Sequence, residues 1–182
     1  MKIYTRTGDQ GQTLLRRGRK VGKSDCLVKS LGDLDELNSL LGLSLAFSRN
    51  RITRKVLSLL QNRIFNVGAE LSGWEPAGSS NFRKIEQSDV EQLETYIDQI
   101  EKDLKPLKNF ILPGGSKSAA FLHVARSVSR RTERTLVELS LRKKMRNPFL
   151  LPFLNRISDL LFVLTRVENK KSEKSEKLWK KS

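Results

Sequence analysis

Two stretches of the sequence carry residues whose types and spacing suit the binding of an anion. The first is TRTGDQGQT at residues 5–13, where glycines let backbone N–H groups turn toward an anion. The hydroxyl groups of Thr5, Thr7 and Thr13, the Arg6 guanidinium and the Lys23 ammonium can add donors there. Gly8 and Gly11 bracket Asp9 in the same turn. No GK[ST] closes the segment, so it is not a Walker A loop. An ordinary surface turn is the alternative, because Gly, Asp and Thr are common in turns.

The second stretch is a stripe of arginines. Arg126, Arg130 and Arg134 are four residues apart, so a helix places them along one line. Aligned guanidinium groups repel one another unless an anion or facing carboxylates neutralise them, and their donors match phosphate oxygens. With Arg131 and Glu133 beside them, they predict a polyphosphate site. The alternative is a salt-bridged face that meets acidic residues of neighbouring helices, namely Asp35, Glu36 or Glu70.

Polar residues also interrupt an apolar helical face further along the chain. Asn155, Ser158 and Asp159 follow the i, i+3, i+4 spacing, and buried polar groups of this kind need partners. They either hold a facing helix or meet a ribose, a base or the arginine stripe. His123, the only histidine, is expected to be an interhelical side chain with satisfied hydrogen bonds rather than a catalytic group.

Composition narrows the possible functions. The chain has 182 residues, enough for one domain with its own core, and its 35 Lys and Arg against 20 Asp and Glu give a net charge of +15. One cysteine, Cys26, and one histidine argue against a Cys/His zinc site, so we expect any metal to arrive with a substrate. The apolar runs are shorter than the roughly 20 residues of a spanning helix, which predicts no membrane insertion.

The positive charge suits a polyphosphate ligand, an anionic membrane or a nucleic acid. The basic residues Arg142, Lys143, Lys144 and Arg146 motivate a nucleic-acid-binding module as an alternative. The aromatic residues fall mostly at apolar helical positions and form no evident stacking platform, so nucleic acid is disfavoured. The opening MKIYTRTGD contains no apolar signal core, which predicts a cytoplasmic protein.

Apolar residues at helical spacing predict an all-α fold. The expected helices cover residues 33–48, 52–71, 88–104, 116–142 and 148–168. Candidate N-caps are Asp33, Ser88 in a capping box with Glu91, and Ser116 or Ser118. Short connections favour a five-helix antiparallel bundle preceded by an extended N-terminal loop at residues 1–32. The tail at residues 169–182 holds six Lys and two Glu and is expected to be disordered.

Several blocks in this order resemble the PduO-type ATP:cob(I)alamin adenosyltransferases, also called corrinoid adenosyltransferases. They span residues 1–168 and read IYTRTGDQGQT, GDLDELNSLLG, LQNRIFNVGAEL, KNFILPGGS, LHVARSVSRRTER and FLNRISDLLFVLTR. The resemblance implies a homotrimer that binds ATP at subunit interfaces beneath the N-terminal loop. It also implies transfer of the 5′-deoxyadenosyl group of ATP to cob(I)alamin, which yields adenosylcobalamin and triphosphate.

The resemblance assigns roles residue by residue. It places Thr5, Arg6, Thr7, Gly8, Asp9, Thr13 and Lys23 on the ATP loop. It also places nucleotide contacts at Arg130, Arg131, Glu133, Arg134 and Asn155. Asp35 and Arg126 match a salt bridge between subunits, and Phe110 matches the aromatic that lies below the corrin and excludes its lower axial ligand. Arg130, Asn155 and Phe110 are the implied catalytic residues.

The implied cofactors are ATP, Mg²⁺ carried on its phosphates, and cobalamin as the corrinoid substrate. Candidate partners are a cobalamin reductase and an adenosylcobalamin-dependent enzyme. The loop departs from the family pattern at Arg6, where Lys is more frequent, at Arg16 and Arg17 in place of Phe and Gly, and at Gly22 in place of Pro. Because these positions belong to the loop that closes over ATP, a catalytically inactive ATP-binding scaffold is a further alternative.

Overall fold

The computed structural model describes residues 2–15, 18–73, 82–142 and 145–180. The basic residues Arg16, Arg17, Lys143 and Lys144 lie outside the described residues. The described part contains five helices, as predicted: α1 Cys26–Phe47, α2 Arg51–Ser72, α3 Gln87–Glu101, α4 Lys117–Leu141 and α5 Leu150–Lys171. Two short strands, β1 Gln12–Leu14 and β2 Lys20–Gly22, pair antiparallel ahead of α1.

The longest helix, α4, is the centre of the packing. It lies against α1 on one side and α5 on the other, while α2 packs on α1 and α3 packs on α5. The apolar stripes of these helices meet in one main core, whose fully buried side chains include Leu37, Leu60, Leu122, Phe153 and Leu161. Full burial of such a side chain contributes about 1.5–3 kcal/mol. No helix among the described residues has the length and apolarity needed to cross a bilayer.

The first helix begins earlier than the sequence predicts. Asp25 is its N-cap, and its carboxylate accepts a hydrogen bond of 2.8 Å from the Leu27 N–H. Asp33, the predicted cap, lies inside α1 and accepts a 2.6 Å hydrogen bond from the Thr135 hydroxyl of α4. The prediction was wrong because Leu27 is buried against Leu139 in a small second cluster, which extends the helix into the basic segment.

The start of α3 also differs from the prediction. Its N-cap is Glu86 rather than Ser88, and the reciprocal partner is Asp89 rather than Glu91: the Glu86 N–H donates to Asp89 over 3.0 Å. Asp89 is buried and pairs with Arg63 of α2 over 3.0 Å as well as with Arg83, so a tertiary contact helps to fix this end. Ser116 is confirmed as the cap of α4, whereas α3 ends at residue 101 and α5 continues to residue 171.

The segment after α5 differs from the disorder expected for it. Through residue 180 it lies against the loop between α3 and α4, where the Trp179 N–H donates to the Phe110 carbonyl over 2.8 Å. The Arg166 guanidinium, buried on α5, donates to the Glu176 carboxylate over 2.9 Å. A buried guanidinium needs an anionic partner, and a carboxylate of the tail supplies it. Composition alone overlooks such a pairing.

Candidate functional site

A cavity of about 1140 Å³ is lined by α3, α4, α5, the loop after α3 and Trp179 of the segment after α5. The loop follows α3 and contributes Phe110, while α4 contributes His123, Arg126 and Arg130. The lining from α5 includes Arg156, Ser158, Asp159, Phe162 and Val163. The structure therefore brings Arg126 and Arg130 of the predicted stripe together with Phe110, although about 16 residues of chain separate Phe110 from Arg126. Arg134, the third arginine of the stripe, does not line this cavity.

Phe110 is presented on a loop whose shape is set from two sides. Its ring is 79% exposed and meets Trp179 edge-to-face, with 6.4 Å between the ring centroids. On the other side, the buried Asn169 amide accepts the Ser116 N–H over 2.9 Å and donates to the Gly114 carbonyl over 3.2 Å. Asn169 is not among the predicted site residues, because the sequence pattern places residue 169 in the tail. The paired glycines before a helix cap were the signal that this loop needs support.

The arginine stripe on α4 has no carboxylate partners among the described residues. The Arg126 guanidinium lies 5.9 Å from the centroid of the Phe162 ring, and its buried Nε atom makes no hydrogen bond within the described part of the chain. Burial lowers the pKa of Arg126, and the neighbouring Arg130 charge lowers it further. Arg130 and Arg134 are exposed. The aligned cations thus keep their donors available for an anion, as a polyphosphate site requires.

Arg131 behaves differently from the stripe beside it. It forms ion pairs with Glu36 and Asp33 of α1, the latter over 3.6 Å between Nε and Oδ1. The hydrogen bond to Glu36 is the main cause of a raised Arg131 pKa, and the charges of Glu36 and Asp33 act in the same direction. The salt-bridged alternative therefore holds for Arg131, which links α4 to α1 within the described structure.

Asn155 lies in a hydrogen-bonded chain across α4 and α5. Its amide nitrogen donates to Glu133 over 2.9 Å, and its carbonyl oxygen accepts from Arg156 over 3.3 Å. Arg156 in turn pairs with Glu94 of α3 over 2.7 Å. Glu133 thus orients Asn155 rather than an arginine. The chain fixes the amide beside the stripe, an arrangement that reduces the entropy lost when a ligand binds.

The N-terminal loop is folded onto its own hairpin. The hydroxyls of Thr5 and Thr7 are 2.8 Å apart, and the Lys23 N–H donates to the Gly11 carbonyl over 2.8 Å. A Cβ at residue 8 would lie 3.2 Å from the Lys23 ammonium, so that charge sits close above Gly8. Predicted loop residues thus meet one another, but none of them lines the cavity of its own chain.

His123 is buried in the cavity wall, and neither of its ring nitrogens has a hydrogen-bond partner among the described residues. This differs from the satisfied interhelical side chain that the sequence predicts. Burial is the main cause of a lowered His123 pKa, and the positive charge of Arg126 adds to it while Glu176 opposes it. The imidazole is therefore neutral at neutral pH.

Acidification should destabilise the protein through His123. Its unfolded pKa is near 6.5 and its folded pKa is lower, so the unfolded chain binds the extra proton first. Stability supplied by the neutral imidazole is complete above the unfolded pKa and falls as pH drops below it. We expect the loss of Tm between about pH 7.5 and 5.5 to be smaller in His123→Gln than in the wild type, measured by thermal unfolding. Identical losses would contradict this.

The described residues contain no group of three or more His, Cys, Asp or Glu side chains placed to hold a metal ion. The cavity is lined by cations, by carboxylates and by aromatic rings. The cations are Lys108, Arg126, Arg130 and Arg156, the carboxylates are Glu94, Asp98, Glu101 and Asp159, and the rings are Phe110, Phe162 and Trp179. Arg126 and Arg130, which have no carboxylate partner among the described residues, suit an anionic group, and the aromatic rings suit an apolar face of the same ligand.

A family model described as cobalamin adenosyltransferase matches residues 3–168, nearly the whole described bundle. The chain belongs to this family. A cobalamin adenosyltransferase of Cupriavidus metallidurans is 41% identical over 181 residues, which cover 99% of this chain and 95% of that protein. A corrinoid adenosyltransferase of Bacillus subtilis is 40% identical, with 94% and 89% covered.

Other family members are longer than this chain. The corrinoid adenosyltransferase PduO of Citrobacter freundii is 41% identical over 93% of this chain, which spans about half (50%) of that protein's length. Among solved structures, a variant of the PduO-type enzyme of Lactobacillus reuteri complexed with cobalamin and ATP superimposes with a TM-score of 0.87. It is 34% identical, and the match covers 100% of this chain and 98% of that one.

Proposed function

We propose that this cobalamin adenosyltransferase family member transfers the 5′-deoxyadenosyl group of ATP to cob(I)alamin, giving adenosylcobalamin and triphosphate. The observation that carries the proposal is the shared cavity of Arg126, Arg130 and Phe110. Its volume of about 1140 Å³ exceeds the roughly 300–1,000 Å³ of typical small-ligand pockets, as a corrin ring beside a nucleotide demands. Related structures bind ATP and cobalamin, which supports both substrates here.

The chemistry needs no protein nucleophile. Cobalt(I) itself attacks C5′ of ATP, so the Co–C bond forms as the C5′–O bond breaks and the electron pair leaves with triphosphate. The chain's task is to hold the two substrates in line and to stabilise charge on the leaving group. Mg²⁺ on the phosphates would add to that stabilisation. Phe110 would lie under the corrin and keep the axial base away from cobalt.

We propose that ATP is bound by both predicted anion-binding features, the arginine stripe of α4 and the N-terminal loop. Arg130 and Arg134 would bind the phosphates, with Asn155 on the nucleoside. Arg131 and Glu133 would position other groups instead of contacting ATP themselves. Arg131 pairs with Asp33 and Glu36, and Glu133 accepts a hydrogen bond from Asn155. The N-terminal loop would close over the nucleotide with Thr5, Arg6, Thr7, Gly8, Asp9, Thr13 and Lys23.

We also propose that the loop comes from a neighbouring copy in a homotrimer. Two observations support this. The loop does not line the cavity of its own chain, and the Arg126 Nε is buried with no hydrogen-bond partner among the described residues, while Asp35 is exposed. Asp35 of one copy would pair with Arg126 of the next.

Charge reversal tests the assembly. We expect Asp35→Arg and Arg126→Asp each to shift the trimer toward monomer in light scattering, because each places like charges at the contact. The double variant should restore the trimer, since the pair is then re-formed with its signs exchanged. A monomeric wild type, or a double variant as dissociated as the single ones, would contradict the pairing.

The activity is tested by mixing the protein with MgATP and chemically reduced cobalamin. Appearance of the alkylcobalt absorption spectrum together with stoichiometric triphosphate is the expected result. ATP binding without either product would instead support the inactive scaffold suggested by the loop departures. A reductase that supplies cobalt(I), an enzyme that consumes adenosylcobalamin and a cytoplasmic location complete the proposed setting.

A further inference from the structure

A second cavity, of about 630 Å³, opens beside the one already described. We call it the basic cavity, since five cations and two carboxylates line it. The cations are Lys105, Lys108, Arg166, Lys170 and Lys174, and the carboxylates are Asp103 and Glu176. A cavity with so uneven a balance of charge favours an anion.

Local contacts neutralise only part of this charge. The Arg166 guanidinium is paired with Glu176, and the Lys170 ammonium donates to the Asp103 carbonyl over 2.7 Å. The ammonium groups of Lys105 and Lys174 have no hydrogen-bond or ion-pair partner among the described residues. These two groups come from different parts of the chain, one from the loop after α3 and the other from the segment after α5.

The basic cavity is continuous with the first cavity. Leu107, Lys108 and Asn109 line both, so one short piece of backbone forms a shared rim. On the far side of that rim, Phe110 faces the larger cavity. A ligand seated in the larger cavity can therefore extend a flexible, negatively charged arm over the rim.

Cobalamin has such an arm. Its corrin ring is edged with neutral amide groups, and its nucleotide tail carries a phosphodiester, the single anionic group of that tail. We propose that the basic cavity binds this phosphodiester, with Lys105 and Lys174 as its principal contacts. The inference rests on the proposed function, and it assigns to the chain a second anion site that serves the corrinoid rather than ATP.

Cobinamide provides the decisive comparison because it keeps the corrin ring and lacks the nucleotide tail. We expect Lys105→Gln/Lys174→Gln to weaken cob(II)alamin binding about 3- to 10-fold, the range expected when two exposed ion pairs are lost, with cob(II)inamide binding unchanged. Equilibrium dialysis gives both dissociation constants without requiring turnover, and KM values with reduced corrinoids should change in the same way.

The matched control is Lys102→Gln/Lys171→Gln. It removes the same charge from the loop after α3 and from the last residue of α5, at positions that do not line the basic cavity, and should leave the binding of both corrinoids unaffected. The proposal would be overturned if the Lys105/Lys174 variant bound both corrinoids more weakly by the same factor, or bound both as tightly as the wild type.

Competition with inorganic phosphate shows whether the basic cavity binds the nucleotide tail of cobalamin or a free anion. If phosphate competes with cobalamin and not with cobinamide, the tail is the occupant. If phosphate binding depends on the two lysines while the corrinoids respond alike, the site serves a free anion and the proposal is wrong. The wild type could show this lysine-dependent difference between cobalamin and cobinamide binding and still transfer no adenosyl group. That outcome would refute the proposed activity and leave the binding proposal intact.

Discussion

Arg130→Ala is expected to lower kcat/KM for adenosyl transfer by about 10²–10³-fold, the usual effect of removing one donor to a charge that develops in a transition state. Arg130 lines the cavity, follows Arg126 by one helical turn and has no carboxylate partner among the described residues. Its charge is therefore available to the triphosphate that the proposed reaction releases. Steady-state kinetics with ATP varied at saturating reduced cobalamin measures the effect.

Two companion variants make the Arg130 result interpretable. Arg142→Ala removes a guanidinium from the end of the same helix, where it pairs with Glu138, and should leave kcat/KM within error of the wild type. Arg130→Lys should recover only part of the activity, because an ammonium lacks the planar fork that matches phosphate oxygens. If Arg130→Ala were as active as the wild type, the proposal that the arginine stripe binds the phosphates of ATP would be contradicted.

Gly115→Ala should reduce both stability and activity. Gly115 has φ +108, and a Cβ there would overlap the Asn169 amide. Moving that amide also breaks its hydrogen bonds to the Ser116 N–H and the Gly114 carbonyl. Backbone strain and the unpaired buried groups together predict a loss of about 2–4 kcal/mol in the free energy of unfolding. Urea unfolding measures it, and corrinoid binding reports the displaced Phe110 loop.

A glycine-to-alanine substitution at Gly32 serves as the control for Gly115→Ala. Gly32 lies inside α1, where an added Cβ meets nothing within 4 Å, so Gly32→Ala should be neutral or slightly stabilising. A Gly115→Ala/Asn169→Ala double variant should cost less than the sum of the two single variants, since the overlap disappears. Strict additivity would show that the overlap with Asn169 is not the cause.

Local rules of the sequence account for much of the fold. Apolar residues at helical spacing correctly predict five helices, and Ser116 correctly predicts the start of α4. The four-residue spacing of Arg126 and Arg130 places both on the cavity side of α4, because that spacing follows from helical geometry alone. The spacing does not reveal which cations lack partners.

Helix ends and charge partners depended on groups distant in sequence. Burial of Leu27 moves the start of α1 ahead of Asp33, which instead bonds to α4. Arg131 meets Glu36, and Asn155 meets Glu133, through packing between helices. No local pattern encodes these pairings, because many residues of each charge were equally available along the chain.

The loops show most clearly which features the sequence alone does not predict. Residue types in the N-terminal loop and around Phe110 indicated anion and aromatic chemistry, since those properties belong to the side chains themselves. Only the tertiary structure brought the tail onto Phe110, placed Asn169 beneath Gly115 and opened two adjoining cavities. The reason is that a cavity and a buried hydrogen bond are properties of several segments at once, and their free energy exists only after those segments meet.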